Sequence, residues 1–204
     1  MDRFEQSLIS NMRAFDLDLS PETLEQLGVF YSLLTRWNER LHLVAPCSSE
    51  EFATRHVLES LMLLKHLPHE AKIADIGSGA GLPIIPCLLA RPDLSATLIE
   101  SSQKKSVFLR EALNQLGRPS VIITKPFEDV PTPDVSFVTC RALDKFMNKI
   151  SSLINWTPAN STLLFFGGPN LGERLREAEV VSTELLIPLS ERRYLYIVKR
   201  GDSL

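Results

Sequence analysis

The sequence predicts an α/β fold: a mostly parallel, doubly wound sheet that ends in an antiparallel strand pair and is preceded by N-terminal helices. Three observations predict it. From residue 71 onward, apolar runs of strand length alternate with helical patterns, the order that gives parallel strands joined by crossover helices. The last two runs, Thr183–Leu189 and Arg193–Lys199, are separated by only Ser190-Glu191-Arg192, too short a connection for a crossover, so they pair antiparallel. Ahead of the first strand, residues 1–70 carry three helical patterns and no strand. The expected organisation is a helical extension, 1–70, packed on a core, 71–204.

The helices follow from spacing and end signals. Phe4, Leu8, Ile9, Met12 and Phe15 lie on one helical face. Ser20-Pro21-Glu22 opens a second helix, with a capping Ser, a Pro suited to the first turn and a Glu that complements the dipole. Its stripe is Leu24, Leu27, Tyr31, Leu34, Trp37 and Leu41. Ser48-Ser49-Glu50-Glu51 opens a third in a capping-box pattern; this helix carries Phe52, Val57, Leu61 and Leu64 and stops near Pro68. Strands are expected at Lys72–Ile76, Ala96–Glu100, Ser120–Thr124, Val135–Thr139 and Thr162–Gly167. The helices between and after them are expected at Leu82–Ala90, Gln103–Gly117, Asp144–Asn155 and Leu171–Val181.

The first of these strands leads into the most informative stretch. Ile73, Ala74 and Ile76 form a short apolar run, Asp75 sits at its carboxyl end, and Gly77, Gly79 and Gly81 follow at alternate positions before an apolar helix. Glycines allow positive φ and let a ligand reach the backbone. In open α/β sheets ligands bind outside the carboxyl ends of strands at such a turn. Glu100 ends the next strand, where a carboxylate can accept hydrogen bonds from a ribose. The third glycine comes one residue early for the dinucleotide fingerprint G-x-G-x-x-G, so an NAD oxidoreductase fits poorly. The spacing is closer to the D-x-G-x-G turn of S-adenosylmethionine (SAM) methyltransferases.

Composition bounds the answer without naming it. The chain has 204 residues, 44% hydrophobic and 23% charged, the profile of an ordinary globular domain. No apolar run approaches the length of a membrane span, and the first residues lack a signal-peptide pattern. Cys47, Cys87 and Cys140 are widely spaced with no C-x-x-C, which argues against a zinc site or disulfide framework and for a reducing, cytoplasmic setting. The net charge of −3 disfavours non-specific nucleic-acid binding but leaves room for a local basic face.

With the elements placed, further runs become informative together: Arg36-Trp37-Asn38, Arg55-His56-Val57-Leu58-Glu59-Ser60, Asp75 to Pro83, Glu100 to Lys105, Phe108-Leu109-Arg110 and Cys140-Arg141-Ala142. On these the chain resembles the RsmG/GidB family of 16S ribosomal RNA guanine-N7 methyltransferases. The resemblance implies a class I SAM-dependent, Rossmann-like fold. It implies SAM held by Gly77, Gly79 and Leu82, with Glu100 near the ribose, Phe127 and Glu128 beside the adenine, and Arg141 at the pocket mouth. The implied substrate is 16S rRNA, as the small ribosomal subunit or an assembly intermediate, met by a monomer. Candidate RNA contacts are Arg55, His56, Lys104 and Lys105, with Arg110, Arg36, Arg40, Arg192 and Arg193 as further basic positions. The chain departs from the family pattern at His42-Leu43-Val44, at Ile84 after Pro83, at Lys125-Pro126 and at Phe165-Phe166-Gly167, where a lysine is usual.

The chemistry fits the absence of a catalytic triad. Guanine N7 has an available lone pair and needs no general base, only alignment with the methyl donor. The position after the fourth strand reads Thr139-Cys140-Arg141-Ala142, without the Asp/Asn-Pro-Pro-Tyr/Phe loop that goes with exocyclic amine acceptors. Cys87 falls inside an apolar helix and reads as core. The other readings are a methyltransferase of the same fold with a different substrate, and a non-catalytic nucleotide-binding module.

Overall fold

The computed structural model describes residues 2–141 and 147–200. Three helical segments lead. Helix α1 (Arg3–Asn11) starts where the Asp2 carboxylate accepts the Glu5 N–H at 2.8 Å. Helix α2 (Pro21–Leu41) starts with Ser20 accepting from Thr23 N–H and Pro21 in the first turn, as its sequence requires. The third segment, α3 (residues 49–66), is not uniform. Ser49–Glu51 is α-helical under a Ser48 cap, Phe52–Leu58 widens to a π-helix, Glu59–Leu61 returns to α, and Met62–His66 tightens to 3₁₀. Apolar periodicity marks a helix here but is silent on its pitch.

The remaining helices are α4 (Ile84–Ala90), α5 (Gln103–Gln115), α6 (Ile150–Trp156) and α7 (Pro169–Glu177). Helix α5 ends where Gly117 adopts positive φ and Arg118 N–H reaches back to the Leu113 carbonyl. Helix α7 begins at Pro169, two residues before the expected Leu171, because proline suits the first helical position. It stops short of Val181, since Glu179 takes a positive φ. The expected start of α6 at Asp144 lies outside the described residues, as does Ala142; a 3₁₀ turn, Met147–Lys149, leads into the helix.

Seven strands form one sheet: β1 (Lys72–Ile76), β2 (Ser95–Ile99), β3 (Val121–Ile123), β4 (Phe137–Cys140), β5 (Thr162–Gly167), β6 (Thr183–Leu186) and β7 (Tyr194–Lys199). Their order is β3-β2-β1-β4-β5-β7-β6. All neighbours are parallel except β6–β7, antiparallel as expected, and β5–β7, which is antiparallel as well. Strand ends differ from the expected ones by a residue or two, and the last pair is shorter because Ile187–Arg193 forms the connection.

Residue parity sorts the sheet into two cores. Ile73, Leu98, Leu164, Phe166 and Leu195 point into one, with Phe4, Leu27, Phe30, Phe52, Leu61, Ile85 and Phe108 from α1 to α5. Ala74, Ile76, Val138, Phe165 and Tyr196 point into the other, with Leu153 of α6 and Leu175 of α7. The N-terminal helices thus share one continuous apolar cluster with α4 and α5. Strand order reverses direction between β1 and β4, and the register pairs Ile76 with Ile99 on one side and with Cys140 on the other. The carboxyl ends of β1, β2 and β4 therefore line one edge, the place where open α/β sheets hold ligands.

Candidate active site

At that edge the glycine turn is tied down by the strand beside it. Gly77 N–H donates to the Ile99 carbonyl at 2.8 Å, and Ser78 Oγ donates to the Asp75 carbonyl at 2.9 Å. Gly79 N–H donates to Glu100 Oε2 at 2.9 Å, and Ser102 N–H to Oε1 at 2.7 Å. Glu100 is almost fully buried. An ionised carboxylate offers about four lone-pair sites, so two remain for a ligand's hydroxyls. Gly79 has φ +49°, and a Cβ there would stand 3.5 Å from the Gly77 carbonyl and 3.9 Å from Glu100 Oε2, in front of the carboxylate. Gly81 serves packing instead: a Cβ would lie 2.3 Å from Ile85 Cδ1, so its absence lets α4 close on the turn. Leu82 is buried in the same core.

Asp75 lies beneath this turn, fully buried. Its Oδ1 accepts from Thr139 Oγ1 at 2.7 Å and its Oδ2 has no hydrogen-bond partner. Burial pushes its pKa up to about 7; hydrogen bonds from Thr139 and Ser78 work against that rise, and the nearby Glu100 adds to it. Burial likewise pushes the Cys87 thiol well above its usual range, and its Sγ donates to the Ser60 carbonyl at 3.3 Å, as expected of a core residue.

A small cavity of about 70 Å³ continues from the turn, lined by Ile76, Gly77, Ile99, Phe127 and Glu128 among others. The Phe127 ring is buried edge-on against Trp156, with centroids 5.8 Å apart. Glu128 is exposed and ion-paired with Lys149 Nζ. The structure thus brings Gly77, Gly79, Glu100, Phe127 and Glu128 to one edge. A larger groove of about 450 Å³ lies between α1, α2 and α5. It touches no strand end, so volume alone does not make it the site.

Arg141, expected at the pocket mouth, turns its guanidinium toward α3. Nη1 donates to the His56 carbonyl at 3.1 Å and Ser60 Oγ at 3.0 Å. Nη2 reaches the Arg55 carbonyl, His56 Nδ1 at 3.2 Å and Glu59 Oε2 at 3.2 Å. Both carbonyls belong to the π-helical stretch Phe52–Leu58, and the His56 carbonyl also accepts from Ser60 Oγ. The guanidinium carbon also lies 5.6 Å from the Phe166 ring centroid.

His56, in turn, is a neutral acceptor in this cluster. Burial lowers its pKa to about 3, helped by the guanidiniums of Arg141, Arg55 and Arg193. Arg55 is exposed and pairs with Glu51 one turn earlier at 2.9 Å. Lys104 is exposed and Lys105 half-buried, both in the first turn of α5, and neither makes an ion pair among the described residues. Sequence reasoning assigned no role to Glu59, Ser60 or Thr139. The available signal for Glu59 is an acidic residue set between apolar Leu58 and Leu61 on a segment that also carries Arg55.

A family model described as rRNA small subunit methyltransferase G, that of the GidB family, matches residues 23–187. The chain belongs to the GidB family. Similar curated proteins include the ribosomal RNA small subunit methyltransferase G of Halorhodospira halophila, 35% identical over 180 residues, covering 88% of this chain and 86% of the relative. The protein of the same name from Desulfotalea psychrophila is 31% identical, covering 97% and 98%. Among solved structures, a SAM-dependent methyltransferase from Aquifex aeolicus aligns with TM-score 0.59 at 13% identity, covering 82% of this chain and 97% of that one. The magnesium protoporphyrin IX methyltransferase of Synechocystis with bound SAM aligns with TM-score 0.60 at 14% identity, covering 90% and 99%. These two share the fold of this GidB chain.

Proposed function

We propose that this chain transfers a methyl group from SAM to N7 of a guanine in 16S small-subunit ribosomal RNA. The observation that carries the reading is the Glu100 carboxylate. It is fixed by Gly79 and Ser102 at the point where strand order reverses, with lone pairs left for a ribose, in a chain of the GidB family.

The residues present fit the cofactor. Gly77 and Gly79 leave the turn open beside Glu100, a Cβ at Gly79 would fill that space, and the buried Asp75 Oδ2 lacks a partner. Glu100 would hold the ribose hydroxyls, Leu82 would back the turn, and Phe127 and Glu128 would border the adenine. When bound, SAM would supply a sulfonium methyl that a neutral nitrogen lone pair can attack without first losing a proton, the N–C bond forming as the S–C bond breaks and the thioether leaves. The chain's contribution is therefore alignment, an effect worth roughly 7–11 kcal/mol at best. Asp75 is sealed below the turn and Cys87 within the core, so neither is offered to the target base.

Lys104 and Lys105 stand at the N-terminal end of α5, where the helix dipole favours negative charge. In this reading the two lysines meet RNA phosphate beside the cofactor site. Arg55, exposed on α3 beside the Arg141 cluster, is a further RNA contact in this reading. Among the described residues no helix is long and apolar enough to cross a membrane. The reading includes a monomer acting in the cytoplasm on the small subunit or an assembly intermediate of it.

Methyl transfer from labelled SAM to small subunits of a strain lacking this gene tests the reading, with the product mapped by mass spectrometry. A single N7-methylguanosine in 16S rRNA is expected. Transfer to another position or another molecule, or none, overturns it.

A further inference from the structure

The buried carboxylate of Glu59 is held between two guanidiniums that come from separate parts of the chain. Oε2 lies 3.2 Å from Arg141 Nη2, and Oε1 lies 2.7 Å from Arg193 Nη2. Only 3% of the Glu59 side chain is exposed, against 17% for Arg141 and 33% for Arg193. Arg141 follows the end of β4, and Arg193 directly precedes β7, whose first residue Tyr194 pairs with Gly167 at the end of β5. Both arginines therefore stand on the edge that carries the glycine turn, and Glu59 approaches them from α3.

The two arginines are not engaged alike. Arg141 spends both terminal nitrogens on α3. Arg193 meets Glu59 at ion-pair distance without hydrogen-bond alignment, and its Nε is buried with no partner. Its guanidinium makes no side-chain hydrogen bond among the described residues, and the Arg193 side chain as a whole is one-third exposed. A buried ion pair is poor support for stability, because desolvation offsets much of the attraction. A guanidinium with unused donors, held by a buried carboxylate on a partly exposed side chain, suits a planar or tetrahedral anion.

We propose that Arg193 contacts a phosphodiester of the RNA substrate next to the target base, and that Glu59 is the positioning residue that holds it there. This rests on the rRNA methyltransferase reading above. Glu59 itself does not touch RNA. Its effect on binding therefore has the opposite sign from simple charge counting. Removing a carboxylate near a phosphate strengthens attraction, whereas removing the residue that holds Arg193 weakens it.

The test is methyl transfer from SAM to small subunits from the gene-deleted strain, with KM for the subunits, kcat and SAM affinity measured for Glu59→Gln, Glu59→Asp, Arg193→Ala and the Glu59→Gln/Arg193→Ala double variant. Arg193→Ala is expected to raise KM about tenfold or more with SAM affinity unchanged, and to lower the steepness of the salt dependence by about one phosphate contact. Glu59→Gln should raise KM in the same direction, Glu59→Asp should restore part of the loss, and the double variant should match Arg193→Ala alone. A Glu59→Gln enzyme that binds subunits more tightly, or an Arg193→Ala enzyme with unchanged KM and salt dependence, overturns the proposal. Should Glu59→Gln fail to fold, Arg193→Ala decides alone, since it changes a partly exposed side chain. Wild-type enzyme that modifies no rRNA overturns both the proposal and the reading beneath it; active wild-type enzyme with unaffected variants overturns the proposal only.

Discussion

Gly79 N–H donates to Glu100 Oε2 at 2.9 Å, so the turn after one strand is fastened to the side chain that ends the next. The residues are 21 positions apart in sequence. This single bond sets the depth of the glycine turn and the orientation of the carboxylate together. Ser102 N–H holds the other oxygen and leaves the carboxylate little freedom to rotate. The ligand edge is preorganised by main-chain donors, which cost little entropy to hold in place.

Gly79→Val is expected to abolish measurable SAM binding. The backbone there has φ +49°, which a β-branched residue adopts only with strain, and its Cβ would occupy the space in front of Glu100. Isothermal calorimetry measures the affinity, and a melting curve checks that the fold survives. Gly79→Val binding SAM as wild type does would remove the turn from the site.

Glu100→Ala should weaken SAM binding by about 1–3 kcal/mol, through lost ribose hydrogen bonds and loosened Gly79 and Ser102 donors. Glu100→Gln is expected to do nearly as much harm. Its amide nitrogen must face one of two N–H donors, Gly79 or Ser102, in a buried position. Equal affinities for Gln and wild type would mean that the carboxylate is not gripped from both sides.

Arg141→Lys should lower stability by about 3 kcal/mol, the scale for breaking a buried ionic network, which shifts Tm down by roughly 6–12 °C in a chain of this size. A lysine has no fork to reach the Arg55 and His56 carbonyls, Ser60 and Glu59 at once. Thermal denaturation with and without SAM separates two roles. A lower Tm with a normal SAM-induced increment marks a strut; a normal Tm with lost SAM affinity marks a cofactor contact.

The sheet was legible because parallel strands covered on both faces read as near-continuous apolar runs: Leu163–Phe166 is one, and Ile73–Ile76 is broken only by Asp75. The glycine turn and Glu100 were legible because positive φ and a ribose acceptor restrict residue type. The Arg141 cluster was not. Its partners, Arg55, His56, Glu59 and Ser60, lie more than 80 positions away, and the π-helical pitch of Phe52–Leu58 has no signature in apolar spacing. His56 reads in sequence equally as an RNA contact or as a packing histidine; burial and three guanidiniums make it a neutral acceptor. Charge signs are written in the sequence, whereas which charges are desolvated together is decided by packing.

Asp75 gives a pH signature that isolates one buried group. Its pKa is about 7 in the fold against 3.8 for an unperturbed aspartate, with burial the first cause. Between those values the unfolded chain has released this proton and the folded chain has kept it. The folded state then binds more protons, so stability falls as pH rises from about 4 to about 7 and levels off above. Asp75→Asn removes the titration while keeping an oxygen for the Thr139 hydroxyl. Urea unfolding of both proteins across this range should show the variant gaining relative to wild type as pH rises, by a few kcal/mol in total, with most of the gain before pH 7. The difference between the two proteins cancels every other group that behaves alike in both. A difference independent of pH would mean that Asp75 is ionised throughout, and that Thr139 and Ser78 outweigh its burial.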